Sequence, residues 1–233
     1  MRDRVIALTI SALLFLTCFA PTLSDFELGR VGTFSRVDRA FPKEAPRLLD
    51  WEYDGSMTVD QITAVLGHRL VGYPRVLARQ LASHLMDEAR RYGFSPALVL
   101  SVINAESGFN VDAESPRGAK GLMQVMPKTA AYIAARVGVR FRNEAELHNP
   151  FKNISLGTAY LAHLRDRYEN ELKHFIGAYN AGPGRMNRVL RGRSRKPKET
   201  IDYIERVKSA LPYMKQYGLT RATEVVSVGI SSL

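Results

Sequence analysis

From residue 74 onward apolar residues recur three and four positions apart, the spacing that lays them along one face of an α-helix, and each run is bounded by start and stop signals. The first run covers 74–92, with Leu77, Leu81 and Leu85 on one face and Gly93 as its stop. Ser95 and Pro96 supply an N-cap and a first-turn proline for a helix over 96–107, which Gly108 ends. Further helices are expected over 127–137, from Asn149-Pro150 to about 168, and over 172–180, where Ala181-Gly182-Pro183 stops the period. A short helical piece over 184–190 and a long one over 199–211, ended by Pro212, complete the series. No segment of this region alternates with period two, so the expected body is all-α.

Upstream the texture differs. Two arginines within the first four residues precede a nearly unbroken apolar run, 5–20, that stops at Pro21. A positive segment followed by an apolar one is the order of an export signal, and a break near Ser24 fits the small residue there. The run falls short of the roughly 20 residues that span a bilayer comfortably. A cleaved signal peptide and a retained N-terminal membrane anchor are the two readings it leaves open. Residues 25–73, interrupted by Gly29, Gly32, Pro42, Pro46 and Gly55, read as a linker or arm with one short helix around 58–66. The chain thus divides into 1–24, a signal peptide or anchor; 25–73, an arm; 74–217, the folded domain; and 218–233, a Val- and Ser-rich tail with no assigned structure.

Composition narrows the chemistry. The chain has 233 residues, 45% of them hydrophobic, and 33 Lys and Arg against 23 Asp and Glu give a net charge of +10. Such a charge draws the molecule toward polyanions: nucleic acid, anionic lipid or a carboxylate-bearing cell wall. Export removes intracellular nucleic acid from the expected partners. Cys18, the single cysteine, lies inside the apolar run, so the folded domain has no thiolate nucleophile, disulfide or thiolate metal site. His68, His84, His148, His163 and His174 show no ligand spacing, so no metal is expected.

Glu106 stands in the last turn of the helix over 96–107, whose other residues are mostly apolar: Leu98, Val99, Leu100, Val102 and Ile103. A helix apolar nearly all round is buried, so Glu106 either points out at the helix end or is held against apolar walls. In the second case desolvation raises its pKa. At an ordinary value of about 4.3 only about one glutamate in five hundred is protonated at pH 7, whereas near 6 about one in ten is, which suits a general acid. Around it stand Glu106-Ser107-Gly108-Phe109, then Ser115, the string Gly118-Ala119-Lys120-Gly121-Leu122-Met123-Gln124, then Ala178-Tyr179-Asn180-Ala181-Gly182, and Glu199-Thr200 with Tyr203.

In these strings the chain resembles the lytic transglycosylase family, the soluble type related in fold to goose-type lysozyme. The matching positions are the ES pair at Glu106-Ser107, the GLMQ string at 121–124, the AYN string at 178–180, and ET followed by Tyr203 at 199–203. They cover about 74–213 in the family's order. The resemblance implies a lysozyme-like helical domain with a substrate cleft, which makes 74–217 the catalytic domain of an exported enzyme of the periplasm or cell envelope. It implies a lyase without a cofactor, acting on peptidoglycan glycan strands. Glu106 would protonate the glycosidic oxygen between N-acetylmuramic acid and N-acetylglucosamine, then take the proton of the muramyl C6 hydroxyl as it closes on C1 to a 1,6-anhydro sugar. The substrate's acetamido group would serve where other glycosidases use a second carboxylate.

The resemblance assigns the remaining positions to substrate binding. Ser107 is expected as a hydrogen-bond partner near the acid, Gly121 as a point of close backbone approach, Met123 as an apolar wall and Gln124 as a donor and acceptor to sugar amides. Tyr179 is expected to place its hydroxyl near the acid or the acetamido group, with Asn180 beside it, while Glu199 and Tyr203 line the cleft. Asp112 or Glu114, if it faced the cleft, would supply the second carboxylate of a water-using lysozyme, the first alternative. The second is a catalytically idle peptidoglycan-binding or secretion-apparatus component. Finally, Arg185, Arg188, Arg191, Arg193, Arg195, Lys196 and Lys198 form a run without an acid. It is either a solvated loop or a patch for peptide-stem carboxylates or anionic wall polymers.

Overall fold

The described residues form eight α-helices and one 3₁₀ turn, and one of the helices carries Glu106. The structure, a computed structural model, describes residues 51–70 and 75–230, without the side chains of Arg75 and of 219–230. The readings placed on 1–24, Cys18 included, and on the arm as far as residue 50 lie outside the described residues. The elements are α1 (Val59–Arg69), α2 (Arg75–Arg91), α3 (Pro96–Ser107), α4 (Pro127–Val137), a 3₁₀ turn (Glu144–His148), α5 (Pro150–Arg167), α6 (Leu172–Ala181), α7 (Pro183–Leu190) and α8 (Lys198–Ile230). Among the described residues the only β pairing is in isolated bridges, so the fold is all-α as expected.

Helix α3 begins where the Ser95 side chain accepts the Ala97 N–H and Pro96 pre-sets the first turn. It ends at Gly108 in the left-handed region, φ 58. Every residue from Pro96 to Ile103 is buried. Such all-round burial, worth about 1.5–3 kcal/mol for each large apolar side chain, fixes α3 as the axis of the core. Its widest packing is against α8; α2 also touches it, α5 packs between α2, α4 and α6, and α6 rests on α8.

Two expectations fail in instructive ways. The segment read as an arm is, in its described part, built into the body: Trp51, Met57, Ile62, Val65 and Leu66 are buried, and α1 packs on both α2 and α8. Thr58 starts α1 with a reciprocal capping box to Gln61. The second failure is Pro212, which does not end the last helix; α8 runs through it to Ile230. An interior proline costs about 3 kcal/mol through a lost hydrogen bond and a clash one turn back. Burial offsets that cost, because Leu211 and Met214 are in the core, Gly218 lies against Met57 and Gln61, and the Lys215 ammonium donates to Asp54 at 2.8 Å. Leu77, expected on the core face of α2, is only half-buried, whereas Leu81 and Leu85 are fully enclosed.

Candidate active site

A cleft of about 760 Å³ opens beside the C-terminal end of α3, and Glu106 lines it. Ser115 to Ala119 and Gln124 to Thr129 contribute to one part of the lining; Tyr160, Tyr179 to Pro183 and Glu199 contribute to the rest. Of the expected site residues, Glu106, Gln124, Tyr179, Asn180 and Glu199 line this cleft.

The Glu106 carboxyl is held against apolar walls. Burial pushes its pKa up from 4.5 to about 7, while a hydrogen bond from Tyr203 and the charge of Arg206 pull the other way. The Tyr203 hydroxyl donates to Glu106 Oε1 at 2.6 Å, with the ring fully enclosed between α3 and α8. Burial, reinforced by the nearby Glu106 charge, raises the Tyr203 and Tyr179 phenols well above 10, so both stay protonated. At neutral pH about half of the Glu106 population carries a proton, the condition in which one group can both give and take it.

The raised pKa is also a statement about stability. Between 4.5 and about 7 the unfolded chain ionises this group while the folded chain keeps its proton, so folding stability falls as pH rises through that window. The full displacement is worth up to about 3 kcal/mol. Glu106→Gln removes the ionisation and still accepts from Tyr203. It is therefore expected to raise the melting temperature at pH 8 by several degrees and to leave it unchanged at pH 4. Differential scanning calorimetry at the two pH values checks this.

Several neighbours do something other than expected. Ser107 does not bond the acid; its hydroxyl donates to the Leu122 carbonyl at 2.8 Å and accepts the Phe109 N–H, tying the end of α3 to the GLMQ loop. Gly121, at φ 75, is a point of close approach, but to protein: a Cβ there would collide with the Leu147 carbonyl and the Asn153 side chain. The Met123 side chain is fully buried against Gly157 instead of walling the cleft, and its carbonyl accepts the Tyr179 hydroxyl at 2.9 Å. That hydroxyl lies near enough to the acid to feel its charge, as expected, but donates its proton to the loop. Tyr203 supplies the contact to the acid in its place.

Gln124 sits at a left-handed φ of 47, held there by its amide nitrogen, which donates to the Ala113 and Gly121 carbonyls at 3.0 Å each. Its side-chain oxygen has no hydrogen-bond donor among the described residues and is left for a ligand N–H or hydroxyl. Asn180, also on the cleft lining, accepts from Thr200 at 3.1 Å, which fixes its amide and leaves the nitrogen as its free donor among the described residues. Two candidate second carboxylates are occupied elsewhere. Glu114 binds the largely buried Lys120 ammonium at 2.5 Å, which lowers its pKa, and Asp112 is exposed beside a separate small hollow near Arg69 and Phe109. Glu199 alone joins Glu106 as a carboxylate on the cleft lining.

Residues that the strings did not single out complete the site. Asn153, fully buried on α5, accepts the Met123 N–H at 2.7 Å and donates to the Lys120 and Leu147 carbonyls at 2.8 Å. Nothing in the sequence marks it, because an asparagine within a helix reads as a surface position. Tyr160 lines the cleft with its ring 5.4 Å from that of Tyr179. From α1, Arg69 donates to Asn104 at 2.6 Å and lies 4.9 Å over the Phe109 ring, clamping the end of α3.

Residues 84–201, about half of the chain, match the family described as "Transglycosylase SLT domain". The membrane-bound lytic murein transglycosylase C of Actinobacillus pleuropneumoniae is 37% identical over 160 residues, covering 65% of this chain and 42% of that protein. The soluble lytic murein transglycosylase of Salmonella typhimurium is 33% identical over 128 residues, covering 54% of this chain and 19% of that protein. The chain thus spans less than half the length of these relatives. Among solved structures, the complex of the 70-kDa soluble lytic transglycosylase with bulgecin A superposes with a TM-score of 0.52 at 28% identity, over 61% of this chain and 27% of that one.

Proposed function

Because the chain belongs to the transglycosylase SLT domain family, we propose that it cleaves the glycan strands of peptidoglycan without water, leaving 1,6-anhydro ends, with Glu106 as acid and then base. The observation that carries the reading is the Glu106 carboxyl: desolvated, poised near neutrality, bonded by Tyr203 and open to the cleft. In its protonated form it gives a proton to the glycosidic oxygen. The carboxylate left behind takes the proton of the muramyl C6 hydroxyl, whose oxygen bonds C1 as the leaving sugar departs. Tethering that nucleophile to the reacting sugar replaces a bimolecular encounter and removes several kcal/mol of barrier, about 7 or more in favourable cases. Gln124 and Asn180 present an acceptor and a donor suited to an N-acetyl amide. The relatives' names, membrane-bound and soluble murein enzymes, support a place in the cell envelope.

The hydrolytic alternative needs a second carboxylate to activate water, and Glu199 is the residue on the cleft lining that could supply one. The test is the mass of the soluble muropeptides released from purified sacculi. Anhydro products are one water lighter than reducing ones; reducing products lost on Glu199→Gln would install the hydrolytic reading instead.

Tyr203 makes a finer test. Its hydrogen bond stabilises the Glu106 carboxylate, so Tyr203→Phe raises the pKa of the acid further. A hydrogen bond to a charged group is worth about 1.5 kcal/mol, or about one pH unit. The alkaline limb of kcat/KM, expected near pH 7 in the parent, is predicted to move up by about that much in Tyr203→Phe. A pH–rate profile of muropeptide release reads the displacement directly, and an unmoved limb would separate Tyr203 from the titrating group.

A further inference from the structure

The cation run from Arg185 in α7 to Lys198 at the start of α8 borders the cleft at both ends. Gly182 and Pro183, which precede it, and Glu199, which follows it, all line the cleft. The seven cations from Arg185 to Lys198 therefore hang on a segment whose two roots are cleft wall. Within it Met186 alone is buried, and it anchors α7; Arg185, Arg188, Arg191, Arg193, Arg195 and Lys198 are all exposed.

Near this run stand Glu169 and Glu171, which share a hollow with Arg191 alone among its cations and do not pair with it. Some Lys and Arg elsewhere among the described residues pair with acids: Arg91 with Glu88, Lys120 with Glu114, Lys152 with Glu146, Arg165 with Asp166 and Lys215 with Asp54. None of the seven makes an ion pair within the described residues, and no acid stands between them in sequence. Like charges packed within one Debye length, about 8 Å at physiological salt, repel each other, and that repulsion is relieved when an anion binds. The cleft interior is the wrong place for that anion. Its lining holds two carboxyl groups, Glu106 and Glu199, against the single cation Arg117, so it offers an entering carboxylate no net positive charge.

We propose that this rim is a binding site for the carboxylates of the peptide stems, engaged while the glycan that bears them lies in the cleft. The inference rests on the peptidoglycan reading above. A segment rooted at both ends in the cleft wall meets substituents of whatever strand the cleft holds, which favours stems over a separate anionic wall polymer that needs no cleft. Arg is suited to the task, since its planar fork takes a carboxylate in two parallel hydrogen bonds.

The experiment is cosedimentation of the full chain, carrying Glu106→Gln so that substrate persists, with intact sacculi and with glycan strands stripped of their stems by an amidase. The expected result is tighter binding to intact sacculi by about tenfold, a contrast that shrinks as salt is raised. In a variant that adds Arg188→Gln, Arg191→Gln, Arg193→Gln and Arg195→Gln, the contrast is expected to collapse, and to return in large part when the four are Lys. Equal loss on both substrates, or no loss on either, overturns the proposal. So does displacement by a soluble phosphate-bearing wall polymer with no dependence on stems, which would make that polymer the ligand. Thermal unfolding of the Gln variant reports whether the fold is intact. Release of anhydro sugars from stripped strands by the chain with Glu106 intact tests the enzymatic reading on its own, so the two can fail separately.

Discussion

Glu106→Gln is expected to lower muropeptide release from sacculi by roughly a hundred- to ten-thousand-fold, the span that a positioned acid and base contributes. Glutamine keeps the shape of the side chain and still accepts from the Tyr203 hydroxyl, so cleft geometry and sedimentation with sacculi are expected to survive within about twofold. What is lost is the proton. An amide cannot protonate the leaving oxygen, and neither Glu114, bound by Lys120, nor Asp112, beside a separate hollow, lines the cleft to replace it. Initial rates of soluble-product release near pH 6, where the parent acid is mostly protonated, make the comparison cleanest. A variant within tenfold of the parent would remove Glu106 from the chemistry and bring Glu199 forward.

The second large effect concerns stability and lies outside the cleft. Asn153→Ala is expected to destabilise the protein by about 4 kcal/mol, since it orphans the Met123 N–H and the Leu147 carbonyl in the core at about 1–3 kcal/mol each and leaves the Lys120 carbonyl with the Val125 N–H alone. For a domain of this size that is a fall of roughly 10 °C in melting temperature. Asn153→Asp should be worse, because it keeps the acceptor for Met123 but turns a carboxylate toward two carbonyls. Activity should drop along with stability, since Asn153 holds the loop on which Gln124 is strained into its left-handed conformation. Thermal unfolding of the two variants checks the order; a loss of less than about 1 kcal/mol for the alanine would mean water fills the gap and the network is dispensable.

How much of this was legible beforehand depends on the range of the interaction. Local signals are legible: Ser95-Pro96 and Gly108 bound α3, and Asn149-Pro150 opens α5, because caps act within a turn of the residue that makes them. The extension of α8 through Pro212 and the burial of 51–70 were not legible. Both depend on apolar surfaces of α1 and α8 that find each other across more than a hundred residues, and local propensity yields to such packing. The site shows the same division. Glu106, Gln124, Asn180 and Glu199 reach the cleft where their strings suggested, but Gly121 and Met123 face the core and Ser107 faces the loop, because a short string does not say which side of a turn a residue presents. Asn153 carried no mark at all, since a buried amide is recognised only by the three backbone groups that surround it.

The measurement that bears most directly on the central claim is cleavage of sacculi in heavy-oxygen water. If the muramyl hydroxyl is the nucleophile and Glu106 moves the proton, the new ends are anhydro sugars that carry no label at any extent of reaction. Incorporation of one labelled oxygen at the new muramyl C1 would mean that water attacks, and would contradict the account at its core.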